Sequence, residues 1–546
     1  MTDLKQTEAR APGQHAHLAW ALVLISVAQL MVVLDATIAN IALPYIGQDL
    51  DISQANLSWI VTGYALAFGG LLLLGGRLGD LYGRRRIFMT GLVIFAVASL
   101  LGGLAQNEGL LLGARGLQGL GAALASPAAL ALITTTFPAG PQRNRAFAVY
   151  AAMSGAGAAV GLILGGWLTG LDGVGGLEFS GWRLTFLINV PIGLAAAFIA
   201  RRLLAESESH RGELDIPGAL TGTLGLLGIV FGLTQAGKAD YGWGHPSTIA
   251  SLAAGVVLLG IFAAIESRVE HPLLPMRILR NRTRAASFMA MMLAPAAMFA
   301  MFFFLSLFIQ QIVGYSPLRA GFAFLPFSFG IVIGAGLASN LVSRIDPRYL
   351  AGLGTLLASF SLFMFSRLSI DDSPSAVVAA LAHGSTAGTD VSYWTSILPW
   401  IVTMSIGMGL TFVPLTLTAV HHVKAADSGI GSGVLNTMQQ VGGALGLATL
   451  STVSLHYVNS STASIGPDLV HATQAANIDP AMHVPGTSLT FIEAAGFQAT
   501  FTDGATAAFL VGSVMMLAAS LVVWIFLNVK HEELATDGPA DAVHLG

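Results

Sequence analysis

The sequence contains no cysteine, and only 10% of its 546 residues are charged. Without cysteine there can be no disulfide framework, thiolate nucleophile or cysteine-ligated metal. A soluble domain carries about 25% charged residues, whereas this chain is 54% hydrophobic and has a mean hydropathy of +0.73. We therefore predict an all-helical integral membrane protein, in which the bilayer takes the place of a conventional core.

Signatures of other chemistry are missing too. The chain has no Walker A loop, so it is not expected to hydrolyse ATP, and it has neither a nucleophile elbow nor a zinc-protease signature. Its arginine runs lie in predicted membrane loops and do not indicate nucleic-acid binding. We expect no enzyme activity, no cofactor and no metal site. We also expect no cleavable signal peptide, because residues 1–17 are polar and the following apolar run is too long for one.

Long apolar segments recur along the chain, each near the ~20 residues that a bilayer requires. We predict fourteen spans, at residues 18–43, 57–76, 86–105, 109–137, 146–170, 184–203, 216–236, 247–267, 286–313, 320–343, 348–366, 395–420, 429–455 and 505–528. With the N-terminus inside, twenty of the 25 Lys and Arg residues lie on the cytoplasmic side and four lie outside. This bias follows the positive-inside rule and predicts that both termini are cytoplasmic, in a multi-pass protein of the cytoplasmic membrane.

A weak internal repeat predicts how the spans are grouped. The segment after span 2, residues 76–85, has a degraded counterpart after span 10, residues 340–348. Two six-helix halves separated by two inserted helices would explain this pattern. The predicted divisions are an N-terminal tail (1–17), a first half (18–203), a linker with the inserted helices (204–285), a second half (286–528) and a C-terminal tail (529–546). The outer segments 367–394 and 456–504 form either a small cap or flexible loops, and their Ser/Thr/Ala/Gly content favours loops.

The segment 76–85 places an acid between glycines and closes with arginines. Gly79 and Gly83 permit a tight turn between two helices, and Asp80 can accept hydrogen bonds from a helix N-terminus or pair with arginine. Such a contact would act as a latch, because it can form in one conformation and break in another. A plain positive-inside loop would explain the arginines, but it would not explain the glycines around them.

This segment resembles motif A of the major facilitator superfamily. Four other stretches resemble motifs of its fourteen-helix drug:proton antiporter subfamily: residues 34–44 (the helix-1 motif), 115–123 (motif B), 157–166 (motif C) and 182–193 (the start of helix 6). The resemblance implies a latch built from Gly76, Arg77, Gly79, Asp80, Gly83, Arg84 and Arg85, and a helix-5 motif built from Gly157, Gly161, Gly165 and Gly166. Motif C usually has proline after the glycine found here at Gly161, but this chain has Leu162. Without that proline, helix 5 should be straighter unless its glycines supply the bend.

Asp35 and Arg115 are the charged residues that lie deep inside predicted spans. Counting at 1.5 Å per residue from the outer side puts them about 12 Å and about 8 Å deep, so they can meet. Pairing lowers the cost of burying either charge. The pair is either a static structural ion pair or a proton switch. Burial favours the neutral carboxyl and Arg115 favours the carboxylate, so a change in access to water or substrate would toggle protonation.

Several residues are candidates for a substrate cavity. Span 9 is rich in Met and Phe, which suit varied apolar ligands, although most of its members are expected to face lipid or to pack. Asn436, Gln439 and Gln440 share one helical face, where they would bind substrate or bridge helices. The candidate set is Asn40, Gln118, Met298, Phe302, Phe303, Asn436, Gln439 and Gln440.

The resemblance implies proton-coupled efflux of hydrophobic compounds, with cationic drugs among the candidates. Asp35 would bind the proton, Arg115 would couple its release, and the halves would rock around a central cavity. The alternatives are proton-coupled export of one endogenous metabolite, lipid or siderophore, and a non-transporting membrane sensor or scaffold. Expected partners are membrane lipids and small hydrophobic substrates, without nucleic acid, and we expect a monomer. The sequence does not specify the substrate, the proton stoichiometry or the role of the inserted helices.

Overall fold

Helices make up nearly all of the regular structure in the described part of the chain. A computed structural model describes residues 12–138, 140–171, 179–207, 214–421, 428–484 and 489–536. Thirteen helices there are long and apolar enough to cross a membrane, and a shorter apolar stretch, Ala156–Thr169, lies within a further helix. The all-helical prediction is confirmed, whereas the total of fourteen spans stays a prediction.

The first part of the chain contains the helices that precede the insertion. They are α1 (Pro12–Asp49), α2 (Gln54–Leu57), α3 (Trp59–Tyr82), α4 (Arg84–Gly103), α5 (Glu108–Thr136), α6 (Pro141–Thr169), α7 (Trp182–Leu187) and α8 (Asn189–Leu203). Glycines let these helices approach closely. A Cβ on Gly91 of α4 would lie 2.7 Å from the Gly121 carbonyl oxygen of α5, so a larger residue would push the two helices apart.

Two inserted helices, α9 (Ile216–Gly237) and α10 (Pro246–Glu266), form an antiparallel hairpin. The inner helix, α9, packs against α3: a Cβ on Gly70 would lie 2.7 Å from Thr223 Oγ1. The outer helix, α10, exposes apolar side chains such as Val256 and Val257, which are 62% and 59% exposed. Exposed apolar residues on a span are suited to contact with lipid.

The remaining helices follow the hairpin. They are α11 (Met276–Leu279), α12 (Arg282–Leu307), α13 (Pro317–Leu341), α14 (Pro347–Phe365), α15 (Pro374–Ala382), α16 (Leu398–Val420), α17 (Ser428–Ala475), α18 (Phe491–Phe526) and α19 (His531–Thr536), with π-helical turns at Phe308–Ile312 and Tyr393–Ile397. Close contacts join this part to the first. A Cβ on Gly166 of α6 would lie 2.5 Å from the Pro317 carbonyl oxygen of α13, and one on Gly69 of α3 would lie 2.7 Å from Gln440 Cβ of α17.

The outer segments differ from the sequence expectation. α17 continues far beyond the predicted span, and α18 begins at Phe491, where Thr490 and Glu493 form a capping box. Together with α15 these ends enclose a small apolar cluster of Val377, Val378, Leu469, Phe491, Ala495 and Ala499. We call this group the outer cap. The flexible-loop interpretation is wrong for the residues of α15, α17 and α18 in these segments, whereas residues 367–373 and 383–392 do form loops. Sparse apolar residues in a polar background are enough to pack the helix ends together.

Candidate functional site

A buried ion pair joins α1 to α5. Arg115 Nη1 donates a hydrogen bond of 2.5 Å to Asp35 Oδ2, and the two residues are 1% and 3% exposed. The predicted contact between these residues is therefore present. Two opposite charges at this distance offset much of the cost of removing each from water.

The Asp35 carboxylate has two further donors. Gln118 Nε2 donates to Asp35 Oδ1 at 2.8 Å, and Asn189 Nδ2 of α8 donates to the same oxygen at 3.1 Å. Asp35 therefore accepts hydrogen bonds from both α5 and α8. Gln118, predicted as a cavity residue, is fully buried in this cluster.

Arg115 is also held on several sides. Its Nε donates to the Ile60 carbonyl oxygen at 2.7 Å, and its Nη1 donates to Gln118 Oε1 at 2.9 Å. The guanidinium carbon lies 4.4 Å from the centre of the Tyr64 ring, a distance suited to a cation–π interaction. Arg115 is therefore anchored to α3 and α5 by contacts that do not involve Asp35.

Sequence reasoning missed Asn189, Tyr64 and Ser99 as members of this cluster. Ser99 Oγ of α4 accepts a hydrogen bond of 2.8 Å from Gln118 Nε2, and it is fully buried. Asn189 carried a usable signal, because an amide in an apolar span needs a partner. Tyr64 and Ser99 carried none, since Tyr and Ser are common in spans for other reasons.

The motif A residues lie at the cytoplasmic turn from α3 to α4. Gly83 has φ +100°, a conformation that glycine adopts at little cost. Arg84 Nη2 lies 3.1 Å from Asp80 Oδ1, and these side chains are 26% and 43% exposed. Gly76 and Gly79 lie on the α3 side of this turn, as does the partly exposed Arg77. Asp80 is thus paired within its own motif.

Glu206, just after α8, is a second acid at this turn that sequence reasoning missed. Its Oε1 accepts a hydrogen bond of 3.0 Å from the Arg85 backbone N–H, and its Oε2 lies 3.5 Å from Arg85 Nε. An acid at the start of α4 also interacts favourably with the helix dipole. Glu206 therefore fastens the end of α8 to the motif A turn.

The motif C glycines of α6 face α1 and α13. A Cβ on Gly157 would lie 3.1 Å from Val33, one on Gly165 would lie 3.1 Å from Ile38 Cα, and one on Gly161 would collide with Thr37 Oγ1. Gly166 instead meets Pro317 of α13. The four glycines thus let α6 approach a helix of its own half and one of the opposite half.

The aromatic candidates of α12 are distributed between the core and its edge. Phe303 is 2% exposed and packs on Phe304, whereas Phe302 is partly buried against Phe324 and Phe327 of α13. Met298 is partly buried beside the same core. Phe303 therefore contributes to packing, and Phe302 and Met298 lie nearer its surface.

The polar candidates lie at contacts between helices. Ser306 Oγ of α12 donates to the Asn40 carbonyl oxygen at 3.0 Å, which joins α1 to α12. Gln440 packs against Gly69, Gln439 Nε2 approaches Met291 Sδ at 3.6 Å, and Asn436 is exposed. Direct contact of these residues with substrate stays a prediction. In the described part of the chain, no three His, Cys, Asp or Glu side chains converge as metal ligands would.

A bundle of membrane-spanning helices with a buried, bridged carboxylate and close contacts between two helical parts defines a membrane transporter. The chain belongs to the Major Facilitator Superfamily, whose family model matches residues 25–447. It is a transporter of the cytoplasmic membrane and not an enzyme.

Among its relatives is a puromycin resistance protein of Streptomyces alboniger, with 39% identity over 95% of this chain and 93% of that protein. A cephamycin export protein of Amycolatopsis lactamdurans is 37% identical over 82% of this chain and 87% of that protein. A tetracenomycin C resistance and export protein of Streptomyces glaucescens is 30% identical over 94% and 93%, respectively.

Solved structures share the fold. An inward-facing bacterial homologue of the human lysosomal transporter Spinster superposes with a TM-score of 0.61 at 18% identity. The match covers 94% of this chain and 98% of that one. At this identity the likeness shows the architecture alone.

Proposed function

We propose that this protein exports hydrophobic compounds, drugs and antibiotics among them, across the cytoplasmic membrane in exchange for protons. The observation that carries the proposal is the ion pair between Asp35 and Arg115, buried within the spans and bridged by Gln118. A scaffold has no need of such an expensive group, whereas a proton-coupled carrier needs an acid that can change its charge inside the membrane.

In this proposal, coupling works through the hydrogen bonds of the Asp35 cluster. In the ionised state Asp35 holds α1 to α5 and α8 through Arg115, Gln118 and Asn189. Protonation removes the negative charge that these donors face, and so it weakens the link between the helices. Binding and release of a proton thereby bias the packing of α1, as alternating access requires.

The two halves, residues 18–203 and 286–528, rock about their contacts in this proposal, and 204–285 joins them. Motif A acts as the cytoplasmic latch through Asp80, Arg84 and Arg85. Substrate contacts Asn40 and the edge of the aromatic cluster near Phe302, with Met298 as an adaptable neighbour. The transporter works as a monomer surrounded by membrane lipids.

The test is substrate-induced proton movement in proteoliposomes, with ethidium as the probe and wild type beside Asp35→Asn. Asparagine keeps the size of Asp35 but cannot carry its charge. Wild type should move ethidium against its gradient when a pH difference is imposed, and Asp35→Asn should not. Asp240→Asn, in the exposed turn between α9 and α10, is a matched control that should behave as wild type. Equal transport by wild type and Asp35→Asn would place proton coupling elsewhere.

Export of one specific endogenous metabolite is the second candidate. Relatives whose names include export of a single antibiotic, cephamycin or tetracenomycin C, favour it. A substrate panel with a measured direction of transport separates the two. Efflux of several unrelated compounds supports the broad exporter, and efflux of one compound class supports the narrow one.

A further inference from the structure

Two acids meet at the cytoplasmic base of the inserted hairpin, away from the Asp35 cluster. Asp215 immediately precedes α9 and Glu266 is the last residue of α10, and they are 5% and 3% exposed. The antiparallel packing of α9 on α10, in which Gly222 meets Phe262 and Gly225 meets Leu259, brings these two acids to the same end of the hairpin. The side chain of Asp215 is close enough to act on that of Glu266. Neither the proposed transport cycle nor any motif of the sequence uses them.

Each carboxyl group has one oxygen with a donor and one without. Asp215 Oδ1 accepts from the Gly218 backbone N–H at 2.8 Å, and Glu266 Oε2 accepts from the Leu274 N–H at 2.8 Å. The other oxygens, Asp215 Oδ2 and Glu266 Oε1, are buried and receive no hydrogen bond from a described residue. A buried acceptor without a donor is costly, so these two oxygens need one.

The surroundings offer no compensating charge within the described ranges. The charge that acts on Glu266 is that of Asp215 itself. The charged and titratable side chains of the segment after α10, Arg268, Glu270, His271 and Arg277, are exposed to solvent, and neither Asp215 nor Glu266 forms a salt bridge with a described residue. On α3, which packs against α9, the acid Asp80 is paired with Arg84.

Neighbouring carboxyl groups in a buried site resist ionising together, because their like charges repel at low dielectric. One proton between them removes this repulsion and gives both remaining oxygens a short, charge-assisted hydrogen bond. We propose that Asp215 and Glu266 form a second proton-binding site, which holds one proton between Asp215 Oδ2 and Glu266 Oε1.

The location gives this site a structural role. The chain passes from the first half into the hairpin at Asp215, and it leaves the hairpin for the second half just after Glu266. A shared proton links Asp215 to Glu266 by a hydrogen bond. When this proton is lost to the cytoplasm at alkaline pH, the two carboxylates repel each other. The hairpin base thus loosens as cytoplasmic pH rises, whatever the state of Asp35.

Infrared spectroscopy of the full-length protein tests the site. Asp35→Asn serves as the background, so that Asp35 contributes no carboxylic-acid band. At pH 7 the background should show a protonated-carboxyl C=O band that Glu266→Gln removes and that Asp215→Asn also removes. Loss of one common band on either substitution is the signature of a shared proton. Absence of the band, or separate bands lost one by each variant, would overturn the proposal.

Thermal unfolding across pH provides a second readout. The folded pair holds a proton that an exposed carboxyl releases near pH 4, so stability should fall as pH rises above that point, until the pair is ionised. Wild-type Tm should therefore fall by several degrees more than that of Glu266→Gln between pH 6 and pH 9.5. Glu270→Gln, an exposed acid four residues further on, should follow wild type.

The amide variants suit both measurements because each can keep its backbone hydrogen bond, to Gly218 or to Leu274, while donating across the pair. If wild-type Tm instead rises on addition of Na⁺ or Mg²⁺ and Glu266→Gln does not respond, the pair binds a cation and the proton proposal fails. Neither experiment depends on transport, so their outcome is independent of the test with ethidium.

Discussion

The backbone carbonyl of Leu162 in α6 lies directly against Gly321 of α13, so closely that a Cβ on Gly321 would collide with it. This contact joins the two halves near their outer ends. Leu162 stands where motif C usually has proline. Its carbonyl packs against a helix that follows the inserted hairpin, so the segment with the unusual residue lies at a contact between the first and last parts of the bundle.

Gly321→Ala should push α6 and α13 apart and open the outer side. Overpacking of this kind costs about 1–3 kcal/mol. The chain has no native cysteine, so spin labels will react only with cysteines that are introduced. Leu110→Cys and Trp394→Cys supply two such sites, at exposed outer positions before and after the inserted hairpin. The distance between the labels should lengthen in Gly321→Ala. Gly336→Ala on the same helix, where a Cβ would have nothing within 4 Å, should leave it unchanged. An unchanged distance in Gly321→Ala would contradict the role of this contact.

Asn189→Ala should alter the pH profile of transport. The substitution removes one hydrogen bond to the Asp35 carboxylate, an interaction with a charged group worth about 1.5–3 kcal/mol. The ionised state of the cluster is then less stable, so the midpoint of proton-driven transport should move to higher pH. Thr185→Ala, on the neighbouring α7 and bonded to the Trp182 carbonyl oxygen, is the control. A loss of activity at every pH, without a shift, would instead indicate a purely structural role.

Gly161→Ala should destabilise the protein through its contact with Thr37. The new methyl group would collide with Thr37 Oγ1, at a cost of about 1–3 kcal/mol. Thr37→Ala removes the colliding atom, so the double variant should recover much of the lost Tm. If the double variant is no more stable than Gly161→Ala, the glycine is required for another reason, such as bending of α6.

The C-terminal helix α19 should detach on acidification. His531 donates its Nδ1–H and its backbone N–H to Asp346 Oδ1, at 2.8 Å and 2.9 Å, and these hydrogen bonds lower the pKa of Asp346. Because the pKa of Asp346 is lower in the folded protein than in an exposed carboxyl, its ionised form stabilises the folded state above pH ~4. This stabilisation is lost as pH falls through the lowered pKa. The protection of residues 528–536 against hydrogen exchange, measured relative to the intrinsic exchange rate at each pH, should therefore fall at acidic pH, and it should fall at neutral pH in His531→Ala. Asp371→Asn, in an outer segment, should leave this exchange unchanged.

Much of this architecture was predictable from the sequence. Apolar length and arginine bias indicate the spans, and the depths of Asp35 and Arg115 indicate their pairing, because buried opposite charges require each other. The positions of Ser99 and Tyr64 in the same cluster were not predictable. Which face of a helix meets which neighbour depends on packing between segments distant in sequence, and one hydroxyl in an apolar run does not reveal it.

The outer cap escaped prediction for a different reason. A hydropathy window responds to mean apolarity, whereas Leu469 and Phe491 lie in polar surroundings and pack only because α15, α17 and α18 converge there. Gln118 was found but its role was not, because an amide in a span is equally compatible with binding substrate and with hydrogen bonding to a buried charge. Its position between Asp35 and Arg115 is a property of the assembled helices.

The length of α17 has a mechanical consequence. Its 48 residues span about 72 Å at 1.5 Å per residue, more than twice the ~30 Å hydrocarbon thickness. This single helix, which contains Pro467, packs against Gly69 of α3 through Gln440 and also carries part of the outer cap. An antibody bound to the outer cap would restrict the movement of α17, the helix that also contacts α3. A ligand that never enters the membrane would then inhibit transport.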